Sequence, residues 1–295
     1  MNPSPRSEML FVLLQYLLPH HLQSRLVHWV TRRRWRWLNR LLMPWFIRHY
    51  DVNMDEAQES DWRRYPCFNA LFTRALRPEA RPLRASEETQ LAIPVDGTVS
   101  QRGDIAADRI FQAKGHDYSL LSLLGGDAHR AGQFHNGRFA TLYLSPRDYH
   151  RIHMPIAGRL EQMVYVPGRL YSVNSITVRQ LPGVFARNER VISYFDTAAG
   201  PMALILVGAL HVGSMDTVWA GNITPPYGRY IRHWHYRDRA EPVQLAKGEE
   251  MGRFNLGSTV ILLFADDAVD FDAALEPGAP TRMGEVLGRL RTPAA

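Results

Sequence analysis

Cysteine is almost absent from the 295-residue chain, which contains only Cys67. A single thiol can form neither an internal disulfide nor a metal site built from several thiolates. The fold therefore requires neither an oxidising compartment nor structural zinc, and this fits exposure to the cytosol. The remaining composition, 45% hydrophobic and 22% charged, is that of an ordinary globular protein of one large or two modest domains.

The sequence also lacks a hydrophobic run long enough to cross a bilayer. The apolar stretch MLFVLLQYLL, residues 9–18, has about half of the roughly 20 residues that a membrane-spanning helix needs. A secretory signal would carry positive charge before such a run and small residues after it. Here Pro19, two histidines and then arginines follow the run. We therefore expect neither a membrane span nor export.

Acidic residues are missing between Glu8 and Asp51, although seven arginines lie there. Without those arginines the net charge of +6 would fall close to zero, so the basic character belongs to this one segment. Three tryptophans alternate with the arginines at roughly helical spacing: Trp35, Trp37 and Trp45. Indole rings favour the headgroup region of a membrane, and arginines favour an anionic leaflet.

Residues 1–65 are therefore predicted to be amphipathic helices that lie on an anionic membrane surface. Two alternatives are a core helix pair with a basic solvent face, and a nucleic-acid patch with aromatic stacking. We favour the membrane and expect no nucleic-acid partner.

From residue 66 onward, short β-branched and aromatic runs are separated by Gly, Pro and Asn, as in FATLYLS, RVISYFDT and STVILLF. These are strand and turn signals without a regular strand–helix alternation. We predict an α+β fold, with a mainly antiparallel β body over residues 66–295 behind the N-terminal helical region. SLLSLLGG, residues 119–126, is the best candidate for a later helix.

Near the C-terminus, Gly257 and Ser258 precede a strongly apolar strand. Glycine exposes its carbonyl and tolerates strained backbone angles, and a serine hydroxyl becomes a nucleophile when a base is near. His150 and His153 in YHRIHMP, with Asp96 in PVDGTV, could supply the base and the carboxylate that orients it. On these residues alone, an ordinary turn and packing histidines remain open alternatives.

Longer segments resemble the bacterial phosphatidylserine decarboxylases, which are pyruvoyl-dependent enzymes. The resemblance covers most of residues 50–285 and lies in nine segments: FTRALRPEARP, PVDGTVSQ, QAKGHDYSL, LSPRDYHRIHMP, VPGRLYSVN, FARNERV, FDTAAGPMALILVGALHVGS, TVWAGNITPP and KGEEMGRFNLGSTV. The N-terminal region is similar to the membrane-associating helices of that family.

The resemblance implies a role for each candidate residue. Ser258 corresponds to the self-cleaving serine that becomes the pyruvoyl group, and Gly257 supplies the carbonyl that is attacked. Asp96 and His153 correspond to the carboxylate and base of the cleavage triad. His150 corresponds to the first histidine of the motif, a candidate proton donor during decarboxylation.

The resemblance also implies the products and partners. Cleavage would yield a larger subunit, 1–257, and a smaller one, 258–295, which stay together. The pyruvoyl group, bound covalently at residue 258, would form a Schiff base with phosphatidylserine and lead to phosphatidylethanolamine. We expect a homodimer that is peripheral to the cytoplasmic face of the cell membrane.

Other functional classes remain as alternatives. A pyridoxal-phosphate decarboxylase would need a lysine, and only Lys114 and Lys247 exist. A serine hydrolase is also possible, but no G-x-S-x-G elbow occurs. A non-catalytic, β-rich membrane-binding protein is the third. His233 and His235 lack a carboxylate or thiolate partner at a telling spacing, so we predict no metal site.

Overall fold

A computed structural model describes residues 8, 12–16, 18–113, 115–210, 214–225, 228–256 and 259–291. The predicted cleavage bond, Gly257–Ser258, and Lys114 lie outside these residues.

In the described part of the N-terminal region, residues 12–16 are helical, and two longer helices follow: α1 (His20–Thr31) and α2 (Arg36–Tyr50). Helix α2 is amphipathic, as its sequence predicts. Met43 and Phe46 are buried in a small cluster with Phe68 and Phe72. Trp37 on the same helix is 65% exposed. Within the described ranges, no helix is both long and apolar enough to cross a membrane.

In the part of the chain that the structure describes after the N-terminal region, the helices are short: α3 (Phe68–Phe72), α4 (Leu120–Leu123), α5 (Ala128–Gly132), α6 (Ser175–Gln180) and α7 (Val184–Arg187). Two 3₁₀ turns lie at Trp62–Arg64 and Pro78–Ala80. Helix α4 confirms the helix predicted in SLLSLLGG. The side chain of Ser119 caps it by accepting a hydrogen bond from the backbone N–H of Ser122.

The rest of the described chain is dominated by strands: β1 (Gln90–Ala92), β2 (Gly97–Asp104), β3 (Arg109–Ala113), β4 (His116–Ser119), β5 (Arg138–Tyr143), β6 (Arg151–His153), β7 (Gly158–Val166), β8 (Arg190–Thr197), β9 (Gly200–Val207), β10 (Met215–Thr217), β11 (Gly221–Thr224), β12 (Arg232–His235), β13 (Gln244–Leu245), β14 (Glu250–Phe254), β15 (Thr259–Phe264), β16 (Val269–Phe271), β17 (Pro280–Thr281) and β18 (Val286–Leu290). Their ladders are antiparallel, so the predicted α+β fold with a mainly antiparallel body is confirmed.

The largest sheet has the order β12-β7-β8-β9-β15-β5-β2-β17, with β13 beside β7. Smaller sheets have the orders β11-β10-β14-β6, β1-β18-β16 and β3-β4. Strand β15 lies inside the large sheet and pairs with both β9 and β5. A segment from near the C-terminus is therefore placed between strands from the middle of the chain.

Both faces of the large sheet are covered at β15. Val260 and Leu262 belong to one hydrophobic cluster, whereas Ile261 and Leu263 belong to another. Successive side chains of a strand point to opposite faces, so this strand needs apolar residues at every position. The requirement explains why STVILLF reads as a continuous apolar run instead of an alternating one.

The carboxyl group of Glu189 is fully buried. Its two oxygens accept hydrogen bonds of 2.7 Å from Tyr165 Oη and 2.8 Å from Thr224 Oγ1. Burial raises the pKa of Glu189 to about 7, although both hydrogen bonds oppose the rise. The protonated form is therefore favoured in the folded protein far more than in the unfolded chain.

We predict that Glu189→Gln makes the free energy of unfolding less dependent on pH. As pH rises, the unfolded chain loses the Glu189 proton first, so native stability falls by roughly 3 kcal/mol between about pH 5 and pH 8. Glutamine has no such proton and can still bond both hydroxyls. Urea unfolding at the two pH values measures the difference. The exposed Glu88→Gln is the control, and equal pH dependence in Glu189→Gln and wild type would contradict the prediction.

Candidate active site

Antiparallel pairing brings the histidine motif next to the segment that leads into Gly257. Strand β14 pairs with β6, and Glu250 lies opposite His153. At the other end of the pairing, the backbone N–H of Phe254 donates to the carbonyl of His150 at 3.0 Å. The histidine segment is therefore bound to the chain four residues before Ser258.

A second backbone contact adds the aspartate motif. The N–H of His153 donates to the carbonyl of Pro94 at 3.0 Å, two residues before Asp96. Asp96 is buried just before strand β2. Three segments that are far apart in sequence, around residues 95, 150 and 254, thus meet at one place.

Asp96 is held mainly by an arginine. Arg81 Nε donates to Asp96 Oδ1 and Oδ2 at 2.9 and 3.0 Å, and the N–H of Met283 donates to Oδ1 at 2.9 Å. Arg81 also pairs with Glu56 at 2.8 Å. Among the described side chains, Asp96 and His153 share no hydrogen bond. The triad therefore stays a prediction, although the two residues are neighbours.

His153 makes its two ring contacts elsewhere. Nδ1 lies 2.8 Å from the carbonyl of Gly248, and Nε2 lies 3.0 Å from Tyr149 Oη. A carbonyl can only accept, so Nδ1 carries the hydrogen of the neutral ring and Nε2 has the free electron pair. Burial lowers the pKa of His153, against the opposing effects of the Gly248 hydrogen bond, Glu250 and Asp96. The ring is thus a neutral base.

His150 is buried more completely. Nδ1 lies 2.8 Å from the carbonyl of Asp148, and Nε2 has no hydrogen-bond partner among the described residues. Burial lowers the pKa of His150 to about 3, and the nearby charge of Arg74 lowers it further. The phenyl ring of Phe72 covers the imidazole, with 4.1 Å between ring centroids. At neutral pH, Nε2 of His150 is therefore unprotonated and can accept a hydrogen bond or a proton.

The residues on either side of the predicted cleavage bond are firmly placed. Before it, Asn255 donates to Ser214 Oγ and Asp216 Oδ1, both at 2.9 Å, and its carbonyl accepts from Asn69 at 3.1 Å. After it, Thr259 opens strand β15. The described residues before and after the predicted cleavage bond are therefore both held in place by the fold.

A pocket of about 280 Å³ adjoins this region. Leu256 lines it next to the predicted cleavage bond, and Phe72 lines it next to His150. Trp45 and Phe46 of helix α2 form another part of its wall. Most of the lining is apolar, and Ser172 and Asn174 add polar groups. The pocket therefore lies between helix α2 and Phe72, the residue that packs against His150.

Sequence reasoning missed two of the residues that hold the site. Arg81 and Tyr149 lie in two of the motifs that carry the family resemblance, FTRALRPEARP and LSPRDYHRIHMP. Nothing in their spacing, however, indicates that Arg81 binds Asp96 or that Tyr149 binds His153. The described residues contain no group of three or more histidine, cysteine or acidic side chains that could hold a metal ion.

Two buried neutral imidazoles, a buried carboxylate paired with an arginine, and a largely apolar pocket next to Leu256 are features typical of an enzyme. A family model described as phosphatidylserine decarboxylase matches residues 68–289, and a second, described as PSD, matches residues 10–51. The chain belongs to the phosphatidylserine decarboxylase family, as the sequence motifs predicted.

Similar proteins cover nearly the whole chain. A phosphatidylserine decarboxylase proenzyme of Idiomarina loihiensis is 54% identical over 281 residues, covering 95% of this chain and 96% of that protein. The proteins of the same name from Pseudomonas aeruginosa and Stutzerimonas stutzeri are 55% and 53% identical. They cover 94% and 97% of this chain and 96% of their own lengths.

We predict that Arg81→Met destabilises the fold by about 3–5 kcal/mol, because it leaves the Asp96 charge buried without its partner. Adding Asp96→Asn should restore part of this loss by removing the charge. Urea unfolding of the two single variants and the double variant measures the coupling. Arg84→Met is a matched control, since its side chain is 67% exposed and its loss should cost under about 1 kcal/mol. Additive effects of Arg81→Met and Asp96→Asn would contradict the prediction.

Proposed function

We propose that this protein decarboxylates phosphatidylserine to phosphatidylethanolamine after cutting its own chain between Gly257 and Ser258. Relatives more than 50% identical are named as proenzymes of that activity. The observation that carries the proposal is the pairing of β6 with β14, which sets His150 and His153 beside the segment entering the cleavage bond. The nine matching motifs include both sides of this pairing.

In the cleavage step, His153 Nε2 takes the hydroxyl proton of Ser258, and the serine oxygen attacks the Gly257 carbonyl carbon. The proton passes to the departing serine nitrogen, so the amide becomes an ester. Removal of the serine α-proton then breaks the ester, and residues 1–257 leave with a carboxylate. Water replaces the nitrogen of the remaining dehydroalanine as ammonia, which leaves a pyruvoyl group at residue 258.

The strand arrangement supports fragments that stay together after cleavage. Residues 259–291 include β15, which pairs with β5 and β9, and β17, which pairs with β2. They also include β18, which lies between β1 and β16. The smaller subunit, 258–295, would thus stay paired with the larger one, 1–257, through strands in two sheets.

Two features of the described residues fit a pyruvoyl group derived from Ser258. The first is the buried, unpartnered Nε2 of His150, and the second is strand β15, which anchors the chain after residue 258. When formed, the group supplies a ketone for the substrate amine and accepts electrons as carbon dioxide leaves.

His150 acts on protons in this scheme. His150 Nε2 is buried and has no hydrogen-bond partner among the described residues, so a proton delivered there from solvent can pass to the carbon that has lost carbon dioxide. Because burial holds the pKa of His150 near 3, the protonated ring is a strong acid that gives the proton up readily.

The pocket beside Leu256 supports a lipid substrate. Trp45 lines the pocket and is 53% exposed, and it shares helix α2 with the exposed Trp37 and Leu41. Acyl chains can therefore remain in a bilayer that contacts this helix while the headgroup enters the pocket.

The same helices support peripheral attachment to the anionic, cytoplasmic face of the cell membrane. On α1, Leu22, Leu26 and Trp29 are exposed, and Arg33 lies over the Trp29 ring at 4.1 Å from its centroid. Apolar side chains flanked by arginines are typical of interfacial helices. A homodimer, expected from the resemblance, and a domain boundary after residue 65 stay predictions.

Self-cleavage is tested by intact mass and denaturing gels. Wild type should give fragments of residues 1–257 and 258–295, the smaller with a blocked N-terminus, because a pyruvoyl group has no free amine. Ser258→Ala should remain whole, since it lacks the attacking oxygen. His153→Ala and Asp96→Asn should also remain whole if they belong to the cleavage triad.

His150→Ala separates cleavage from turnover. We expect this variant to be cut but to release less than about 1% of the wild-type carbon dioxide from phosphatidylserine, because proton transfer contributes roughly 10²–10⁴-fold. A wild-type chain that stays whole yet decarboxylates the lipid would overturn the proposed mechanism.

Membrane attachment is tested by co-sedimentation with phosphatidylglycerol-containing vesicles. Trp37→Ser with Leu41→Ser should weaken binding at least tenfold, because burying such side chains contributes roughly 1.5–3 kcal/mol each. Phe111→Ser with Tyr230→Ser removes exposed rings outside the N-terminal helices and should leave binding unchanged. Equal binding by both double variants would argue against attachment through α2.

A further inference from the structure

Tyr149 makes a hydrogen bond to His153 that conflicts with the proposed role of His153 as the cleavage base. Its side chain is 6% exposed, and its hydroxyl lies 3.0 Å from His153 Nε2. The two rings are 5.6 Å apart between centroids, at an angle of 31°. The contact is buried and therefore protected from competition by water.

The direction of this hydrogen bond follows from the other side of the imidazole. Nδ1 donates to the Gly248 carbonyl at 2.8 Å, so Nε2 holds the single electron pair of the neutral ring. Burial also raises the pKa of the Tyr149 phenol, which keeps its proton in place. Tyr149 is therefore the donor and His153 Nε2 the acceptor.

An imidazole nitrogen has one electron pair in the ring plane and can take one proton with it. While Tyr149 donates to Nε2, that nitrogen cannot also remove a proton from a serine hydroxyl. We propose that Tyr149 is a positioning residue that holds His153 Nε2 whenever this base is not acting on Ser258, and that the Tyr149–His153 bond must break for self-cleavage. This inference rests on the proposed function of His153 as the cleavage base.

The proposal gives Tyr149 a different effect before and after cleavage. In the uncut chain it competes with Ser258 for the base and slows the first step. After cleavage, a pyruvoyl group has no hydroxyl to offer, and the Tyr149 bond keeps the His153 ring neutral and fixed. The conflict in the uncut chain is therefore a consequence of an arrangement suited to the mature enzyme.

Charged groups around the pair determine the pH range for a test. Glu250 on β14, Arg151 on β6 and Asp96 before β2 act on both rings, and Arg81 also acts on Tyr149. Arg151 and Glu250 pair with each other at 2.9 Å, and Asp96 is paired with Arg81. Because these charges are paired with each other, the main difference between wild type and a variant without the Tyr149 hydroxyl is the hydrogen bond from that hydroxyl to His153 Nε2.

The test follows cleavage of the full-length chain, made by cell-free synthesis, on denaturing gels from about pH 4 to pH 8, because burial lowers the pKa of His153 below its ordinary value. Tyr149→Phe keeps the ring and removes the donor, so cleavage should be roughly 2- to 10-fold faster, the range for one lost neutral hydrogen bond. The pH at which cleavage reaches half of its maximal rate should also be higher in this variant, because the hydroxyl donor that favours the neutral form of His153 is gone. Tyr194→Phe is the matched control, since Tyr194 is buried and its hydroxyl has no hydrogen-bond partner among the described residues.

A second variant strengthens the hydrogen bond to His153 instead of removing it. Replacing Tyr149 with 3-fluorotyrosine makes the phenol a stronger donor with little change in shape, so cleavage should be slower than in wild type. Cleavage of Tyr149→Phe at the wild-type rate or below it would overturn the proposal, as would faster cleavage with fluorotyrosine. If wild type itself is never cut, the proposed function fails instead.

Discussion

The position of strand β15 is the constraint on which the rest of the site depends. Its backbone is paired on both sides, with β5 and β9, and its side chains are buried on both faces of the sheet. Removing such a strand would expose two hydrophobic clusters and two rows of hydrogen-bonding groups, which makes its position very costly to change. Thr259, the first residue of the strand, is therefore fixed directly after the predicted cleavage bond.

The proposed chemistry of the site requires that both imidazoles be neutral. Burial disfavours the charged form of His150 and His153, and each ring donates from Nδ1 to a backbone carbonyl. Both Nε2 atoms are thereby left as acceptors, the state that a general base requires. The charge of Asp96, in contrast, is balanced by Arg81. The same burial that stabilises the fold thus sets the protonation states of the two imidazoles that the proposed mechanism uses.

Much of this fold could be predicted from the sequence, because its signals are local. Continuous apolar runs such as STVILLF indicated buried strands, and SLLSLLGG indicated the short helix α4. The amphipathic spacing around Trp37 likewise indicated helix α2. The contacts of Asp96 could not be predicted. Whether it pairs with Arg81 or with His153 depends on side-chain positions in three dimensions, which the neighbouring residues in the sequence do not determine. The Tyr149–His153 bond was missed for the same reason.

The sequence by itself determined the family, the α+β class, the basic tryptophan-rich region and the candidate residues Asp96, His150, His153, Gly257 and Ser258, because each depends on residue type and order along the chain. Only the tertiary structure decided which groups meet. Pairing of β6 with β14 joins segments about 100 residues apart, and the backbone contact of His153 with Pro94 joins segments about 60 residues apart. Burial at that junction then sets the tautomers and hydrogen-bond partners, because desolvation depends on everything packed around a group and not on its neighbours in sequence.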